Sequence, residues 1–74
     1  MGRVRWTPER MDQLERAARD GRRVVLRRRG TEYVVVARGL RHEGPRDELV
    51  GLLPMTGEEL RFNLEELDEF HVLP

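Results

Sequence analysis

The sequence predicts an α+β fold, with one N-terminal helix packed on a small, strongly bent, five-stranded antiparallel β-barrel. Three observations point there. A capped amphipathic segment occupies residues 8–20. The stretch GRRVVLRRRGTEYVVVARG, residues 21–39, places two β-branched runs on either side of a glycine, which is the pattern of a β-hairpin. Three more short strand-like runs follow, over 47–53, 58–63 and 69–73. Closing such a sheet on itself hides most of its edges. That matters in a chain of 74 residues, which buries only about 60–65% of its unfolded surface. Residues 1–74 read as a single domain.

Residues 1–5 read as a frayed tail in which Val4 is able to join a strand. Thr7 caps the helix, and Pro8 takes the first helical position, where a missing N–H costs nothing. Glu9 faces the positive end of the helix dipole. Trp6 and Met11 have the spacing of a hydrophobic staple. Met11, Leu14 and Ala18 share one face, with Ala17 beside it. Asp12–Arg16 and Glu15–Arg19 are i,i+4 pairs. Gly21 suits the stop. The apolar stripe is narrow, so this helix covers a sheet rather than sitting inside a bundle.

The hairpin, about 22–39, turns at Gly30, whose lack of a Cβ permits a positive φ. Two registers are open. A two-residue turn at Arg29-Gly30 sets Arg27 opposite Glu32 and Leu26 opposite Tyr33, and a three-residue turn slips the pairing by one. Both strands are apolar on consecutive positions, which suits a strand covered on two faces. Gly39 weakens and bends the second strand. Residues 41–46, RHEGPR, read as a loop broken by Gly44-Pro45. Gly51, within the third strand, marks a bulge or a close backbone approach. Pro54 to Gly57 is a turn. The fourth strand puts Leu60 and Phe62 inward and Glu59 and Arg61 outward. Leu64 to Leu67 fits one helical turn, and Phe70 and Val72 share a face of the fifth strand.

There is no cysteine, which excludes disulfides and thiolate metal sites, and no serine, which removes another common nucleophile. The longest apolar runs are five residues or fewer, and no secretory leader is visible. A cytoplasmic protein without membrane contact is the expectation. Net charge is zero but unevenly spread. Residues 1–41 carry 12 arginines and 5 acids, a balance of +7, and residues 42–74 carry 2 arginines and 9 acids, a balance of −7. Either the halves neutralise each other on folding, or the basic half faces nucleic acid.

The order of elements resembles the WYL domain, an Sm-like barrel found in bacterial transcription regulators. The stretches that carry the likeness are Leu14 to Leu26, Tyr33 to Leu40, Leu49 to Pro54 and Leu60 to Val72, including Leu-Arg-Phe-Asn-Leu-Glu-Glu-Leu at 60–67. The resemblance implies a small-ligand or nucleic-acid sensor. The Trp-Tyr-Leu signature of that family would fall near Glu48-Leu49-Val50. Its closing arginines correspond here to Leu60, Asn63 and Glu66.

The candidate site for nucleic acid or another anion is Arg22, Arg23, Arg27, Arg28 and Arg29, with Tyr33 as a stacking ring. The plainer reading of these arginines is that they shield strand edges and pair with acids of the C-terminal half. His42 and His71 lack the spacing of metal ligands. Glu65, Glu66, Asp68 and Glu69 read as a solvated charge run rather than as acid–base catalysts. No cofactor or metal is expected, and no enzymatic activity. The leading expectation is a non-enzymatic binding or protein-interaction module, with self-association as one way to bring opposite charges of neighbours together. A nucleic-acid binder that uses the hairpin arginines is the alternative, and a WYL-like sensor of nucleotide-type ligands is the third.

Overall fold

The computed structural model describes residues 3–74, apart from the side chain of Glu43. Helix α1 spans Pro8–Asp20. It begins where Thr7, in an extended conformation, accepts a hydrogen bond at Oγ1 from the Arg10 N–H at 3.2 Å. It ends where Gly21 turns left-handed at φ 65°. Leu14 and Ala17 are buried, and Met11 and Ala18 are half-buried beside them. Of the two helix ion pairs expected, Arg16–Asp12 forms at 3.1 Å. Among the described residues Glu15 and Arg19 form none.

Five antiparallel strands follow: β1 (Arg23–Arg28), β2 (Thr31–Glu43), β3 (Arg46–Leu52), β4 (Glu59–Asn63) and β5 (Leu67–Val72). Their order in the sheet is β4-β3-β2-β1-β5, so β4 and β5 are the edges. The hairpin register is that of the two-residue turn, with Leu26 opposite Tyr33 and Arg27 opposite Glu32. Arg29 and Gly30 both adopt positive φ, 52° and 78°. That pair matches the right-handed twist of the flanking strands.

The loop expected over 41–46 is instead a second tight hairpin. β2 runs on to Glu43, β3 starts at Arg46, and only Gly44 and Pro45 connect them. Gly44, at φ 58°, makes the reversal. Arg41 faces Glu48 and His42 faces Asp47 across the ladder, so opposite charges meet on neighbouring strands. The N-terminal tail also differs from expectation. Met1 and Gly2 lie outside the described residues, but Val4 is buried and donates its N–H to the Leu67 carbonyl at 2.9 Å. Trp6 then donates its indole N–H to the Leu64 carbonyl at 2.9 Å and packs its ring 5.3 Å from that of Phe70. These contacts tie the segment down, so residues 4–6 do not fray.

The sheet is strongly bent. Thirteen residues of β2 would reach about 43 Å if straight, yet the molecule measures 28 × 26 × 25 Å. The β2–β3 register shifts between Ala37 and Gly39, where an extra residue bends the strand. Gly51 lies opposite this point, and it is there for close approach. A Cβ on it would come within 2.7 Å of Val35 Cγ2. Alternate residues point inward: Val24 and Leu26, Val35 and Ala37, and then Leu49, Phe62, Leu67 and Phe70 close on Leu14 and Ala17 of the helix. Between β4 and β5, Leu64–Glu66 forms one turn of 3-10 helix, capped by the Asn63 side chain, which accepts from the Glu65 N–H at 2.9 Å. Leu64 is buried beneath it.

Candidate functional site

The six residues singled out in the sequence separate into two groups along β1. Arg27, Arg28, Arg29 and Tyr33 gather at the hairpin tip, while Arg22 and Arg23 stand at the other end, about 20 Å away along the strand. At the tip, each guanidinium is engaged. Arg27 pairs with Glu69 at 2.6 Å and with Glu32 at 3.6 Å. Arg29 pairs with Glu66 at 3.4 Å, and its backbone N–H donates to Asp68 at 3.1 Å. Arg28 lies over two rings, 5.3 Å from the Tyr33 centroid and 5.1 Å from that of Phe62, and donates to the Tyr33 hydroxyl at 3.3 Å. Tyr33 packs edge-on to Phe62 at 5.2 Å and is half-buried.

Three of the four acidic residues within 65–69 therefore serve the hairpin tip. Opposite charges from the two halves of the sequence meet there within one molecule. Glu66, within this run, holds Arg29. His42 donates from Nδ1 to Asp47 at 2.6 Å, its cross-strand neighbour, and His71 is exposed on β5. Among the described residues, no three His, Asp or Glu side chains gather closely enough to hold a metal ion. No described helix is long and apolar enough to cross a membrane.

The other end of β1 borders a groove. It has a volume of about 600 Å³ and runs between α1 and β5, with Arg10, Gln13, Arg16 and Asp20 on the helix side and Arg22 at its end. Its floor is Ala17, Phe70 and Val72, with His71 at the lip. Among the described residues, the β5 backbone along this groove is unpaired on one side. Leu73 N–H donates to the Arg23 carbonyl at 2.9 Å, so Arg23 and Leu73 are a hydrogen-bonded pair. Counting along the β1–β5 register, His71 and Glu69 also direct their N–H and C=O to β1. Phe70 and Val72, which are among the residues lining the groove, point theirs the other way. Val4 covers the start of this edge at Leu67.

Of the groove residues, only Arg22 belongs to the predicted set. The signal for the others was present as the spacing Arg10, Gln13, Ala17, Asp20, a second stripe on α1 beside the apolar one. Comparison with protein-family models, with curated proteins and with solved structures finds no match for this chain.

Proposed function

We propose that this protein is a non-enzymatic protein-interaction module, an Sm-like barrel left open along one seam, which captures a partner by adding its backbone to the edge of β5. The observation that carries this reading is the row of outward N–H and C=O groups at Phe70 and Val72 beside the α1 groove. An unpaired edge is a template for an incoming extended chain, and main-chain hydrogen bonds supply the affinity of such additions. The strand order β4-β3-β2-β1-β5, with a single 3-10 turn between β4 and β5, supports the barrel reading. The hairpin arginines favour it indirectly. Their guanidinium groups face carboxylates or rings of the same chain, which would compete with an incoming phosphate.

The test is amide hydrogen exchange on the full chain titrated with an uncharged extended peptide of alternating threonine and valine. Exchange at Phe70 and Val72 should slow with peptide, and the effect should vanish in Val72→Pro. That substitution removes an outward donor while leaving the ladder to β1 intact. Unchanged exchange along β5 at every concentration of this peptide and of its acidic and basic counterparts would refute the reading. Solution mass recorded in the same samples reports whether a second copy of the chain occupies the edge.

A further inference from the structure

We infer that the β5 edge selects an acidic extended peptide, which adds as a sixth strand with its carboxylates turned toward Arg10, Arg16 and Arg22. This rests on the edge-binding reading above and adds the chemistry of the partner. Phe70 and Val72, whose backbone points away from β1, line one side of the groove, and the arginine-bearing face of α1 lines the other. A strand laid against β5 sends alternate side chains to each face of the sheet. Those on the helix side enter a space lined by three arginines, Arg10, Arg16 and Arg22, and one acidic residue, Asp20.

Of the three arginines, Arg16 is held at 3.1 Å by Asp12, and both side chains are exposed, so the pair is weak and its guanidinium keeps donors to spare. Arg10 and Arg22 form no ion pair among the described residues. The side chain of Arg22 is exposed, while its backbone is fixed at both ends. Its N–H donates to the Ala17 carbonyl at 2.9 Å, and its carbonyl accepts from Ala37 at 2.8 Å. The cation thus sits on an anchored backbone at the mouth of the groove. Arginine suits carboxylates through its planar fork of donors, and a preformed position reduces the ordering cost of binding.

The other edge strand among the described residues, β4, is a poorer occupant. By the β3–β4 register, Leu53 and Glu58 are a hydrogen-bonded pair, so Glu59, Arg61 and Asn63 direct their backbone outward. Arg61 stands in the middle of that edge, and Glu59, its acidic neighbour there, is already within 3.8 Å of it. Docking β4 on β5 would bring Arg61 toward Arg10, Arg16 and Arg22. A strand with acids at every second position has no such conflict.

The experiment is fluorescence anisotropy on the full chain at low salt with three labelled nine-residue peptides, in which threonine alternates with glutamate, with lysine or with valine. Amide exchange and solution mass are read in parallel. The expected result is that the glutamate peptide binds tightest, slows exchange at Phe70 and Val72, and loses about tenfold in affinity in Arg10→Glu and again in Arg22→Glu. N-methylation of its alternate backbone amides should abolish binding, and the complex should have the mass of one chain plus one peptide.

Equal binding of the glutamate and valine peptides, with β5 protected, would overturn the acidic preference while leaving edge binding in place. Absence of β5 protection by any of the three would remove both. If the N-methylated peptide bound as well as its parent and inorganic pyrophosphate displaced it, the groove would be a general anion site and the inference would fall. It would fall equally if the protein dimerised with β4 protected alongside β5.

Discussion

At Thr7 a single oxygen decides where the helix begins. Thr7→Ala removes the acceptor for the Arg10 N–H and should cost about 1 kcal/mol, read as a lower midpoint in urea unfolding. Gly51 acts in the opposite sense, through what it lacks. In Gly51→Ala the new methyl meets Val35 Cγ2 at 2.7 Å in the fully buried centre of the sheet. The clash should outweigh the gain in strand propensity and destabilise by about 1–3 kcal/mol. Combining it with Val35→Ala should cost less than the sum of the two single changes, a coupling that a double-mutant cycle measures. Thr7 could be read from the sequence because a cap is a local pattern. For Gly51, bulge and close approach stayed open, since the atom it avoids belongs to a different strand. Trp6 shows the same limit. Its staple spacing with Met11 is local, but its hydrogen bond to Leu64 spans the chain.

At the scale of elements, the hairpin shows why register escaped sequence reasoning. Both strands carry apolar residues on consecutive positions, so a slip by one would exchange two apolar faces. What decides the register is the turn, where Arg29 and Gly30 both take positive φ. An arginine in that conformation is not a signal one reads in advance. Gly30→Ala should destabilise by about 1–2 kcal/mol, because an L-residue resists the left-handed region. Gly30 has open space around it, so the loss would come from the backbone alone, and thermal unfolding should report it as a shift of roughly 4–8 °C per kcal/mol. The stretch 41–46 was misjudged for a related reason. Gly44-Pro45 does break the strand, but two residues suffice to reverse it, and the charged residues on either side continue the ladder.

At the scale of the molecule, the charge asymmetry of the sequence has a partial internal resolution. Arg27–Glu69 and Arg29–Glu66 join the basic half to the acidic half across β1 and β5. These pairs are exposed, so breaking Arg27–Glu69 in Glu69→Gln should cost under about 1 kcal/mol, and the cost should shrink further in salt. The same geometry predicts that labelled single-stranded RNA and DNA show no salt-sensitive binding to the full chain. Binding that weakens with salt and disappears in Arg28→Glu would move nucleic acid to the leading reading. The class α+β, with one helix and five antiparallel strands, was legible from periodicity and turn residues. The groove was not, because it exists only once residues near 22 and near 72 are paired, and no local pattern records that meeting.

That pairing also sets the order in which the protein can be completed during synthesis. β1, β2, β3 and β4 are neighbours in sequence as well as in space, and each can close on the one before it as the chain emerges. β5 alone returns across the whole sheet, to a strand made some forty residues earlier. Until it is translated, Val24, Val25 and Leu26 form an uncovered hydrophobic rim on the growing chain. A pause in translation before Leu67 would lengthen the time in which that rim can join a neighbouring nascent chain instead.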